Sequence, residues 1–133
     1  MPQPGKKPLN FVSSVPASGS TNVSTSLRTI TLLFDKNVVD NSVWTNNRSQ
    51  IKMWAGPFKI PIRISRSAAF SERRKIFVTP VNGLVANTKY TIAVYPDLTS
   101  KAGEKLGKTV IITFTTAKAR APKPPQPVPI PEE

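Results

Sequence analysis

The stretch Pro80-Val-Asn-Gly-Leu-Val-Ala-Asn-Thr-Lys-Tyr-Thr-Ile-Ala-Val-Tyr95 decides how the rest of the chain is read. Pro80, Asn82 and Gly83 punctuate the backbone as a turn. Leu84 follows as an apolar plug for the corner. From Tyr90 the side chains alternate, with Tyr90, Ile92 and Val94 on one face and Thr91, Ala93 and Tyr95 on the other. A period of two is the pattern of a half-buried strand. A tyrosine that opens a strand just past a corner can bury its ring and bond its hydroxyl back to the upstream backbone.

The same period recurs outward from this stretch. Residues 27–34 set Ile30, Leu32 and Phe34 against Thr29, Thr31 and Leu33. Residues 109–116 set Val110, Ile112 and Phe114 against Ile111, Thr113 and Thr115. Segment 75–79 turns Ile76 and Val78 inward; segment 50–54 turns Ile51 and Met53 inward and leaves Trp54 outward with Lys52. Residues 9–15 read as an edge strand closed by Pro16. Residues 58–65 set Ile60, Ile62 and Ile64 against Lys59, Pro61 and Arg63. Pro61 has no N–H for a ladder, so this segment is an edge strand or carries a bulge. Turn clusters lie at 17–22, 35–37, 56–57 and 67–74, with a long loop over 97–108 hinged at Gly103 and Gly107. Residues 40–47 are polar, and one helical turn is predicted around Val43 and Trp44. About seven short strands with turns between them predict an all-β antiparallel sandwich.

The 133 residues suffice for one domain with a modest core. Cysteine and histidine are both absent. That removes disulfides, thiol nucleophiles, and the commonest general base and zinc ligand. No nucleophile–base–orienter set can be assembled, so an enzyme is not expected and no cofactor is implied. The net charge of +12 points toward contact with an acidic polymer or simply toward a self-repelling surface. No apolar run approaches the ~18 residues of a membrane span. Many of the prolines lie in the tails. Residues 1–7 and 118–133 are predicted as a disordered N-terminal tail and a Pro-rich linker or tail, flanking a domain over 8–117.

A set of ordered pieces resembles a known family: Pro16-Ala-Ser-Gly-Ser-Thr-Asn-Val23, Ile30-Thr-Leu-Leu-Phe-Asp-Lys-Asn-Val38, Val78-Thr-Pro80, Leu84 with Thr88-Lys-Tyr90, Ala102-Gly103, and Phe114-Thr-Thr116. Their order is similar to the bacterial Ig-like module of S-layer and other cell-surface proteins. The resemblance implies an immunoglobulin-like sandwich in which Phe34, Leu84 and Tyr90 are structural. It implies a structural, spacer or adhesion module beside other domains or a wall partner; a monomer is expected. It also implies a place in the cell envelope, at the surface or outside the cell, with a cytoplasmic place left open. Two features depart from the family pattern. Glu104 stands where Asn is usual after Ala-Gly, and the hairpin between Ile64 and Ile76 is longer and more basic.

That hairpin is one candidate site. Lys59 and Arg63 are read as sharing the outward face of one strand, with Arg66, Arg73, Arg74 and Lys75 near its turn. Guanidinium forks match phosphate, and Phe70 could stack on a ring. The alternative function is therefore polyanion binding to a wall polymer, glycan or nucleic acid; the plain alternative is a solvated edge that keeps sheets apart. Asp35, Asp40, Asp97 and Glu104 fall in loops expected at one end of the sandwich, which makes them calcium candidates. Lys36, Lys101 and Lys105 share those loops, so ordinary turn chemistry reads equally well. Trp44, Trp54, Phe58 and Tyr95 could cover sandwich edges or form a sugar-stacking platform.

Overall fold

The computed structural model describes residues 8–118. The predicted tails, apart from Lys118, lie outside the described residues. Nine strands form two facing sheets: β1 (Phe11–Val15), β2 (Ser20–Val23), β3 (Ile30–Phe34), β4 (Ile51–Ala55), β5 (Phe58–Ile60), β6 (Ile62–Ser65), β7 (Lys75–Pro80), β8 (Lys89–Val94) and β9 (Val110–Thr116). One sheet runs β1-β3-β7-β6 and the other β2-β9-β8-β4-β5. An α-helix, α1 (Asn41–Ser49), joins β3 to β4, and a short 3-10 helix spans Phe70–Glu72.

The core follows from the alternation. Ile30, Leu32, Phe34, Ile76 and Val78 face it from the first sheet; Ile51, Met53, Tyr90, Ile92, Val94, Ile112 and Phe114 face it from the second. All are nearly or fully buried. Burying a side chain of this size contributes about 1.5–3 kcal/mol, and with no sulfur bridge this packing carries the stability. The Tyr90 ring stacks on Phe114 with centroids 5.4 Å apart. Its hydroxyl accepts a 2.7 Å bond from the Val85 N–H, across the turn that holds Gly83 at φ +70° and Asn87 at φ +53°. Leu84 packs half-buried beside the core.

The structure departs from the sequence reading in four places. Segment 58–65 is two strands rather than one. β5 pairs with β4 and β6 pairs with β7, so the chain changes sheet at Pro61. Pro61 fits the step between ladders because it has no N–H to leave unpaired there. The cluster 17–22 is only partly turn, since Ser20–Val23 forms β2 and pairs in parallel with β9. The sandwich is therefore antiparallel everywhere except along that pair. Here too the chain changes sheet, between β1 and β2, just after Pro16. Finally, the predicted helical turn is a nine-residue helix, with the Asp40 carboxylate capping the Ser42 N–H at 3.0 Å.

The chain enters and leaves this sandwich at opposite poles. At the N-terminal pole, Leu9 donates to the Lys105 carbonyl and Asp35 to the Asn10 carbonyl. At the C-terminal pole, Ala117 donates to Val23 and accepts from Asn87. Between them β9, seven residues long, runs about 23 Å.

Candidate functional site

The loops at the N-terminal pole hold most of the titratable side chains. They are 35–40 after β3, 66–74 between β6 and β7, and 95–109 before β9. Five of the seven acidic residues belong to the described chain, and all five sit in these loops. The loops are tied together by backbone bonds, including Val38 N–H to Arg73 O at 3.1 Å and Lys101 N–H to Asn37 O at 2.8 Å.

Asn47 is the clasp between them, and the sequence reading missed it. Its amide donates to the carbonyls of Val38 and Thr99, both at 2.8 Å, and its Oδ1 accepts from the Thr99 N–H at 2.9 Å. The side chain is fully buried. A signal was available. Position 47 lies four residues after Val43 and three after Trp44, the spacing that shares a helix face.

The structure brings the acidic loops together but commits each carboxylate locally. Asp35 accepts from the Asn10 N–H at 2.9 Å and from its side-chain amide at 3.1 Å. Asp40 caps α1 and lies 3.8 Å from the Lys101 ammonium. Asp97 faces Lys105 at 3.4 Å. Glu104 pairs with Lys36 and closes its own loop through Ser100, so its charge has a partner that asparagine would lack. Among the described residues no three of these carboxylates converge into a group that could hold a metal ion. In the structure these four carboxylates pair with lysines, amides and helix-cap or loop groups.

Two of these carboxylates lie below the ordinary value of 3.8. For Asp35, desolvation is the largest single influence and raises the value, but the two bonds from Asn10 and the nearby Lys36 together outweigh it. For Asp40, the side-chain and backbone bonds from Ser42 lower it. A carboxyl depressed on folding stabilises the fold above its unfolded value, and that share is lost as pH falls through the folded value. Asp35→Asn is therefore expected to lose less stability than the parent as pH drops below 3.8. Urea midpoints at pH 7 and along the acid limb measure this; an equal or steeper acid decline in Asp35→Asn would contradict it.

The six basic candidates do not form one cluster. Lys59 and Arg63 sit on different sheets, opposite Trp54 and Thr79 respectively, because of the crossing at Pro61. The shared outward face read from the sequence is corrected accordingly. Arg66 and Arg73 do share a cleft of about 450 Å³ with Asn37, Asp40, Ser67 and Phe70. Both are held in place. Arg66 donates to the Val39 carbonyl at 2.6 Å and lies over the Trp44 ring; Arg73 donates to the Phe70 carbonyl and lies over its ring at 4.1 Å. Arg74 is the last loop residue before β7, and its carbonyl accepts from the Phe34 N–H. Lys75 pairs with Glu72 at 2.7 Å.

The aromatic candidates also separate. Trp44 serves Arg66, Phe58 is largely exposed at the β4–β5 turn, and Trp54 stands on the outer face of the second sheet.

A family model described as "Bacterial Ig-like domain" matches residues 5–116. The chain belongs to that family. Solved structures agree on the fold of this Ig-like domain. The N-terminal part of the bacterial S-layer protein SbsC matches with a TM-score of 0.58 at 18% identity, covering 84% of this chain and 24% of that one. Domains 1–6 of the same surface layer protein match at 0.59 and 18%, covering 86% and 14%. The LD transpeptidase LdtMt1, in complex with imipenem, matches at 0.54 and 13%, covering 84% and 41%. At these identities the likeness is one of fold. The domain spans a quarter or less of the S-layer chains it matches. No curated protein matches it. No helix among the described residues is long and apolar enough to cross a membrane.

Proposed function

We propose that this Ig-like domain is a non-catalytic structural module of a bacterial cell-surface protein, holding neighbouring parts apart. The observation that carries the reading is the placement of its ends. The chain enters beside Lys105 and leaves beside Val23, at opposite poles of the sandwich. Copies or partner domains joined in series would then extend along the strand direction instead of folding back. Family membership and the likeness to S-layer protein structures support a place at the cell surface.

Two copies of the whole chain joined end to end test it. Small-angle scattering is expected to give a maximum dimension close to twice that of one copy, with an unchanged melting temperature. A compact tandem, barely longer than the single copy, would contradict the spacer role.

Polyanion binding through the 59–75 hairpin is a second reading, favoured by the cleft in which Arg66 and Arg73 flank the exposed Phe70. An Arg66→Gln/Arg73→Gln variant retained on an immobilised polyanion as firmly as the parent would dismiss it.

A further inference from the structure

The outer face of the second sheet carries a different constellation. Strand parity points Lys52 and Trp54 of β4, Lys59 of β5, Lys89, Thr91 and Ala93 of β8, and Ile111, Thr113 and Thr115 of β9 away from the core. The register arranges them in rows. One row reads Lys59–Trp54–Thr91–Thr113 and its neighbour reads Lys52–Ala93–Ile111; Lys89 pairs with Thr115 in the row beyond. Directly opposed side chains start about 5 Å apart and diagonal ones about 7–8 Å. Three lysines therefore ring one indole: Lys59 across from it, Lys52 two residues along its own strand, and Lys89 on the diagonal. Ala93 lies nearly buried between Lys52 and Ile111.

Among the described residues this face has no carboxylate. All the acidic residues of the described chain are in the loops of the N-terminal pole, and no ion pair involves Lys52, Lys59 or Lys89 among the described residues. Among the described residues its charge has no acidic neighbour, unlike the hairpin, where Lys75 has Glu72 and Arg66 lies near Asp40.

We propose that this sheet face binds an acidic polysaccharide, with one sugar ring laid on Trp54 and the carboxylate groups of its chain met by Lys52, Lys59 and Lys89. The threonines of β8 and β9 supply hydroxyls for the sugar's own. Charge complementarity selects an acidic ligand. The arrangement favours a glycan over nucleic acid on two counts. Single strands are held by successive aromatic steps, and here one indole stands among lysines. The face also lacks the arginine forks that suit backbone phosphates. The site shares Lys59 with the hairpin reading and is distinguished from it by Trp54, Lys52 and Lys89.

The test uses the full chain on immobilised polygalacturonate, with dextran as the neutral polymer and single-stranded oligodeoxynucleotide as competitor. The parent is expected to bind polygalacturonate and not dextran, with affinity falling as salt rises. Trp54→Ala is expected to weaken it at least about tenfold, the effect of losing one stacking contact. Trp54→Tyr should recover most of that, which separates stacking from fold damage, and melting temperatures check each variant. Lys52→Gln/Lys59→Gln/Lys89→Gln should abolish retention, while Arg66→Gln/Arg73→Gln leaves it unchanged. Parental binding by both Trp54→Ala and the triple variant would overturn the proposal. So would equal retention on dextran, or an oligonucleotide that binds this face as tightly as the polysaccharide.

Discussion

Asn47→Ala should destabilise the domain by roughly 3–5 kcal/mol, the sum of several backbone groups left without partners at about 1–3 kcal/mol each. The groups are specific. Val38 O and Thr99 O lose their donor, and Thr99 N–H loses its acceptor. They belong to two loops separated by some sixty residues of chain, which the amide bridges. The site is fully buried, which makes each orphan costly. Asn47→Asp separates the mechanism from simple volume loss. It keeps the shape and the acceptor but removes both donors, and it sets a carboxyl against two carbonyls. It is expected to be at least as damaging as alanine at pH 7. Urea unfolding followed by circular dichroism measures both. A loss under about 1 kcal/mol in Asn47→Ala would mean water replaces the amide at little cost.

Tyr90→Phe should cost about 1–2 kcal/mol, since it removes one acceptor from a part-buried N–H and nothing else. The ring remains, so its stacking on Phe114 and its place in the core are preserved. The orphan is the Val85 N–H, in the turn between β7 and β8. Val85 itself is largely exposed. Water can therefore reach this turn more readily than the Asn47 clasp, which places Tyr90→Phe below Asn47→Ala. An unchanged urea midpoint would show that the hydroxyl bond contributes nothing. A midpoint lowered as far as in Asn47→Ala would show that the corner, not the clasp, holds the poles.

The strands that face the core on one side were legible because alternation reports burial directly. Ile30, Leu32 and Phe34 of β3 and Tyr90, Ile92 and Val94 of β8 all lie inward as their period requires. Alternation does not report which sheet a strand joins. Ile60 faces the core from one sheet and Ile62 and Ile64 from the other, and the inward side is continuous across Pro61. Both sheets look onto the same core, so the change of sheet leaves no mark on the pattern. β2 escaped because Ser20–Val23 is a short, half-exposed edge made of turn-forming residues. The full length of α1 escaped because its polar sequence buries only an amide. For the candidate sites, the positive charges were visible but their neutralisation was not. Glu72 beside Lys75, and the absence of any acid near Lys52 and Lys89 among the described residues, follow from register and loop placement and from no local spacing.

The two changes of sheet have a joint consequence. β1 and β2 are outermost strands on one flank, β6 and β5 on the other, and each pair is joined by a short link containing proline. The sheets are therefore stitched to one another along both flanks, and the outermost ladders end at residues that cannot donate. Unpaired strand rims are where such proteins recruit further copies into fibres. A sandwich hemmed in this way should tolerate being crowded against its own kind without fusing.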